Sequence, residues 1–80
     1  MRLSARDRAR RAGKNIKRFR EAKGLSQEAL AKDLGFALGT SVSSLERGKT
    51  TLSLEVALLV CDVLQISLSE LLETEDDAAL

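Results

Sequence analysis

Apolar residues recur at helical spacing along almost the whole chain, and the runs are separated by serine at their starts and glycine at their ends. Ala5, Ala9, Ala12, Ile16, Phe19 and Ala22 return every three or four positions, which makes a narrow apolar stripe on one helix. Ser4, with Asp7 three residues on, is a capping signal near its start, and Gly24 after Lys23 is its stop. Gly13 weakens the middle of this helix by about 1 kcal/mol relative to alanine. The pattern is therefore strongest over residues 14–23, and residues 1–12 form either a basic N-terminal arm or an extension of the helix. A second helix spans residues 27–34, with Ser26 as N-cap, Ala29, Leu30 and Leu34 on one face, and Gly35 in the left-handed position that ends it. The connection over residues 35–39 offers Phe36 and Leu38 to fill the angle between helices. A third helix starts near Thr40 and ends at Arg47, with Val42 and Leu45 inward and Gly48 closing it.

After a loop over residues 49–52, Ser53 caps a fourth helix that reaches Leu64. Leu54, Ala57, Leu58, Cys61 and Leu64 make one apolar face, and Val56, Leu59, Val60 and Val63 make a second. A helix apolar nearly all round is covered on more than one side, here by a fifth helix or by another chain. Ser67 and Glu70 form a capping box at full spacing and open a short fifth helix to about Glu73, with Leu68, Leu71 and Leu72 as its apolar residues. Residues 74–80 continue an acidic run and are expected to be a disordered tail. No β-type alternation interrupts the series. The expected fold is all-α, a compact five-helix domain over residues 13–73 in a chain of 80 residues.

Helices as short as the second and third do not stabilise themselves in water and must pack on the rest. Joined by a tight connection, they have the outline of a helix-turn-helix at residues 26–47, the motif whose second helix enters DNA. Charge agrees. Residues 1–49 hold all 13 Lys and Arg with five acids, a net +8, whereas residues 50–80 hold seven acids and no base, a net −7. A basic half facing a polyanion and an acidic half facing elsewhere is the arrangement this split describes. One cysteine and no histidine exclude an internal disulfide and a Cys/His zinc site, and Cys61 reads as a small core residue. No cofactor is expected. The longest apolar run, residues 56–61, is six residues, far short of the ~18 needed to span a membrane. With no signal-peptide pattern, a cytoplasmic protein is expected. Catalysis is not: there is no Cys–His pair and no glycine-rich phosphate loop, and carboxylates cluster only in the tail.

The detailed spacing resembles that of a known family. The residues that carry the resemblance are Gly13-x-x-Ile16-x-x-Phe19-Arg20, Lys23-Gly24-Leu25-Ser26-Gln27-Glu28-x-Leu30-Ala31 and Leu34-Gly35. They continue as Val42-Ser43-x-Leu45-Glu46-Arg47-Gly48-Lys49, Ser53-Leu54-Glu55 and Ile66-Ser67-Leu68-x-Glu70-Leu71-Leu72. This is similar to the lambda-repressor/Cro-like helix-turn-helix family, the XRE family of bacterial and phage transcription regulators. The resemblance implies a five-helix double-stranded DNA-binding domain acting as a homodimer on a two-fold operator. It implies that Gln27 bonds a DNA phosphate or nearby base, which suits a helix N-terminus as an anion site. It implies phosphate contacts from Arg47 and Lys49 after the recognition helix, and a structural ion pair between Arg20 and Glu46.

Thr40, Ser41, Ser43 and Ser44 lie opposite Val42 and Leu45 and are the groove-facing candidates. The turn before them is one residue longer than the family pattern, which puts Gly39 at an outward base-reading position. The outward face has no Arg, Asn or Gln, the side chains that make bidentate base contacts. Specificity is then expected from hydroxyls, water and DNA shape, with affinity from basic residues. Lys14, Lys17, Arg18 and the arginines of residues 1–12 are expected to track the flanking backbone or the minor groove. Val56 and Leu59 stand where such proteins carry polar residues. With Val63, Leu68, Leu71 and Leu72 they are the expected dimer face. The expected function is a small transcriptional regulator, a repressor or repressor–activator. The alternative is an antitoxin-like module that binds a partner protein through the acidic half and regulates its own operon.

Overall fold

A computed structural model describes residues 4–36, 39–50 and 52–73. Its helices are α1 (Ala5–Ala22), α2 (Gln27–Leu34), α3 (Gly39–Glu46), α4 (Leu54–Leu64) and α5 (Leu68–Leu72), and no strand occurs among the described residues. Serine opens helix after helix. Ser4 Oγ accepts from Asp7 N–H at 3.1 Å, Ser26 Oγ from Ala29 N–H at 3.0 Å and Ser53 Oγ from Val56 N–H at 3.1 Å. At α5 the box is reciprocal: Ser67 Oγ accepts from Glu70 N–H at 3.0 Å while Glu70 Oε1 accepts from Ser67 N–H at 2.9 Å. Each cap satisfies a donor that the first helical turn cannot pair internally.

One alternative the sequence left open is decided, and two expectations change. Residues 5–12 are helical, and α1 runs unbroken through Gly13. The third helix begins and ends one residue earlier than expected, at Gly39 and Glu46. At this start a Cβ on Gly39 would lie 2.9 Å from Glu28 Cγ and 3.2 Å from Glu28 N. The helix therefore starts where the chain touches the first turn of α2. Leu71, expected on the outward dimer face, is fully buried, while Leu54 and Leu58, expected inward beside Ala57 and Cys61, are 69% and 52% exposed. The proposed plug Leu38 and the tail over residues 74–80 lie outside the described residues.

Ile16 of α1, Leu30 of α2, Val42 of α3, Val60 and Leu64 of α4 and Leu71 of α5 are all but inaccessible to solvent. Every helix thus contributes to one core, as a small domain without disulfide or metal requires. Asn15 fastens α5 to α1, donating through Nδ2 to the carbonyls of Leu71 and Glu73 at 2.8 Å each. Cys61 is buried among these groups, and burial, reinforced by Glu70, pushes its thiol above the ordinary range.

α1 and α3 meet at closer range. A Cβ on Gly13 would come within 2.5 Å of the Leu45 and Glu46 carbonyl oxygens, so only glycine admits the end of α3 at that distance. Two turns further along α1, Arg20 is buried against Glu46. Its Nε donates to Glu46 Oε2 at 2.6 Å, its Nη2 to Glu46 Oε1 at 3.2 Å, and its Nη1 to the Leu25 carbonyl at 2.7 Å. The hydrogen bond to Glu46 holds the guanidinium above its ordinary range against the opposing effect of burial. This contribution is present at all lower pH and fades only as pH rises through that elevated range, so Arg20 stays charged throughout the neutral region.

Two stability predictions follow from this contact. Gly13→Ala, which raises stability at an exposed helical site, is expected here to lower it by about 1–3 kcal/mol through overpacking; a melting point equal to or above that of the parent refutes the close approach. Arg20→Met is expected to cost about 3–5 kcal/mol in urea unfolding, because it leaves Glu46 buried and unpaired. The Arg20→Met/Glu46→Leu double variant should recover most of that loss.

Candidate nucleic-acid interface

The reading helix is short, so its placement depends on what holds its two ends. Its start rests on the first turn of α2 through Gly39, and its end is fixed by Gly13 and by the buried Glu46. The turn beyond is tight: Gly48 has φ +72°, and Lys49 N–H donates to the Ser44 carbonyl at 3.0 Å. This leaves Arg47 and Lys49 exposed on either side of Gly48.

Between its fixed ends α3 turns Val42 and Leu45 into the core and exposes Thr40 and Ser41, with Ser43 and Ser44 half-buried. Thr40, Ser41 and Ser44 line one open groove of about 360 Å³, together with Thr50, Phe36, Leu45 and Val56. Ser43 is not among its lining residues. Gly39 is half-buried against Glu28 and works as a spacer between helices, not as an outward base-reading position. The groove therefore carries hydroxyls over an apolar lining, a surface able to donate, accept and exclude water but lacking any planar fork for bidentate bonding.

Gln27 stands at the first position of α2, half-buried, and its Nε2 donates to Glu46 Oε1 at 3.0 Å. The same carboxylate therefore receives Arg20 from α1 and Gln27 from α2. An amide NH2 carries two hydrogens, so Gln27 retains one donor beyond the bond to Glu46. This coupling was not read from the sequence, where Gln27 and the Arg20–Glu46 pair were separate expectations.

Lys14 and Lys17 are exposed on α1. Arg18 is also exposed, but its guanidinium lies over the Phe19 ring at 4.8 Å from the centroid, a cation–π contact. Arg10 is one of the arginines of residues 1–12 expected to follow the DNA, but its place beside Gly48 was not expected. Its backbone and Cγ touch the place a Gly48 side chain would occupy, at 2.8–3.2 Å. No local signal pairs Arg10 with Gly48, which are far apart in sequence. Among the described residues no group of three or more metal-ligating side chains converges, and no helix is long and apolar enough to cross a membrane.

Comparison with known proteins places this geometry. The helix-turn-helix family model HTH_3 matches residues 16–71. The restriction-modification controller protein C.AhdI from Aeromonas hydrophila is 37% identical over 81% of this chain and 96% of its own, with a TM-score of 0.73. The hypothetical transcription factor NHTF from Neisseria is 28% identical over 99% of this chain and 91% of its own, with a TM-score of 0.78. The DNA-binding domain of BldD shares the fold at 21% identity, covering 88% of this chain and all of that domain, with a TM-score of 0.76. No curated protein matches the chain. The chain belongs to the XRE-type helix-turn-helix family of DNA-binding transcriptional regulators.

Proposed function

We propose that this chain is a sequence-specific regulator, a repressor or repressor–activator, that binds a two-fold DNA operator as a homodimer. The observation that carries the reading is that Glu46 at the end of α3 holds Gln27 at the start of α2, with Thr40 and Ser41 exposed on α3 and Arg47 and Lys49 exposed beyond its end. In this reading α3 lies in the major groove and Thr40, Ser41 and Ser44 meet base edges. Ser43, half-buried and outside the groove lining, stands at the margin of that contact. Gln27 gives its remaining amide hydrogen to a phosphate at the N-terminus of α2, where the helix dipole favours an anion. Glu46 holds that amide in place. Arg47, Lys49, Lys14 and Lys17 bond phosphates, and Arg18 lends charge from its seat on Phe19. Hydroxyls discriminate bases less sharply than Arg, Asn or Gln, so position and charge supply affinity while the groove and DNA shape supply selectivity. Likeness to the controller protein C.AhdI supports a regulatory role of this kind.

Dimerisation rests on apolar surface left uncovered on α4 and α5. Leu54, Leu58, Leu59, Leu68 and Leu72 are 37–69% exposed and Val63 is half-buried, whereas Val56, expected with them, lines the groove beside α3. A second copy covering this surface would set two α3 helices about 34 Å apart on successive major grooves.

The test uses a duplex enriched by the chain from a random-sequence pool. The Arg47→Gln and Lys49→Gln changes should weaken binding to enriched and random duplexes alike, each lowering the dimer's salt slope by about 1.8, one contact from each protomer. Thr40→Ala and Ser41→Ala should instead reduce the ratio of enriched to random affinity at unchanged slope. Equal affinity of the parent for both duplexes sinks the operator reading. In sedimentation equilibrium the parent should be a dimer, and Leu59→Asp/Leu72→Asp a folded monomer; a parent that stays monomeric removes the two-fold arrangement.

A further inference from the structure

We propose that the first half of α1 is a second, sequence-independent DNA contact, in which Arg6 and Arg10 continue the line of Lys14 and Lys17 and grip phosphates flanking the half-site. The proposal rests on the DNA-binding reading above and adds to it an element outside the residues matched by the family model, which begin at residue 16.

Spacing comes first. Arg6, Arg10, Lys14 and Lys17 are separated by four, four and three residues within the single helix Ala5–Ala22, so they form one edge of it. All four are exposed. Like charges at these intervals repel, and the helix is less stable for carrying them. A polyanion laid along the edge removes that repulsion. Asp7, three residues before Arg10, and Glu21, four after Lys17, are the acids of this helix and adjoin the edge, offsetting part of that repulsion and leaving it net cationic.

Where the edge lies is settled by glycine. Gly13 sits three residues after Arg10 and four before Lys17, so it adjoins both on the helix surface, and it touches the Leu45 and Glu46 carbonyls at the end of α3. Arg10 itself abuts Gly48, which lies between the exposed Arg47 and Lys49. The cationic edge of α1 therefore runs on from the turn that follows the reading helix. With Ser4 capping its start, this segment is a rigid mount for its arginines, so the entropy of ordering a free arm is absent on binding.

The experiment uses the full chain and the pool-enriched duplex, made with and without flanking base pairs. Arg6→Gln/Arg10→Gln is compared with Arg8→Gln; the sequence groups Arg8 with these arginines, but in the continuous helix its position two residues from each sets it on the opposite side of α1, off the edge. Circular dichroism and melting check the fold of each variant. The double variant should lower the dimer's salt slope by about 3.6, two contacts from each protomer, and weaken binding on the order of a hundredfold at ~0.1 M salt. Its enriched-to-random ratio should match that of the parent, and trimming the flanks should abolish its difference from the parent. Arg8→Gln should leave the slope unchanged. A double variant with the parent's slope overturns the proposal, as does an Arg8→Gln loss as large as half that of the double variant, which would mark general charge and not this edge. A parent that binds no duplex overturns the underlying reading, and that is seen without any variant.

Discussion

A single buried carboxylate decides how this domain is assembled. Glu46 is the last residue of α3, and two oxygens on its side chain receive the Arg20 guanidinium from α1 and the Gln27 amide from α2. Arg20 in turn holds the Leu25 carbonyl in the connection before α2. A charge so far from water is tolerated only when paired and fully hydrogen-bonded, and no buried side-chain polar atom among the described residues lacks a partner. The pair is therefore a constraint more than a source of net stability. It permits one mutual arrangement of the helix ends, and that arrangement is what presents α3.

From this constraint the division of labour follows. The groove-facing surface is made of small hydroxyl side chains, with no residue that reads a base by two bonds at once. Exposed cationic side chains are instead arranged around it, on the turn after α3 and along one edge of α1, where in the proposed complex they meet phosphate and not bases. The opposite end of the chain carries no base from residue 50 onward and seven acids, so attraction to DNA has a direction. The exposed leucines of α4 and α5 lie in that acidic half. A shared interface there would keep both basic surfaces available to the duplex.

Much of the scaffold was legible in the sequence because its signals are local. Serine caps at Ser26, Ser53 and Ser67, the box with Glu70 and the left-handed Gly35 each act within four residues, and the structure has helices where they indicate. What was not legible involves residues distant in sequence. Gly13 reads as a defect in a helix until the end of α3 is seen against it. Gly39 reads as an outward position until Glu28 is found beneath it. Leu71 and Leu58 exchange their expected environments because periodicity separates two faces of a helix but does not say which one a neighbour covers. Gln27 and Glu46 were each assigned a role, yet the bond between them depends on how α2 and α3 cross. The family resemblance supplied the Arg20–Glu46 pair, which spacing alone does not.

The central claim is that one face, formed by the start of α2, the exposed side of α3, the Arg47–Lys49 turn and the cationic edge of α1, receives DNA. Its most direct test is amide chemical-shift mapping of the isotopically labelled chain titrated with the enriched duplex. The expected result is that Gln27, Thr40, Ser41, Lys49 and Arg10 shift together as duplex is added, while Leu58, Leu59 and Leu72 follow only the dimer equilibrium. Shifts concentrated on α4 and α5, with α3 unmoved, would contradict the account.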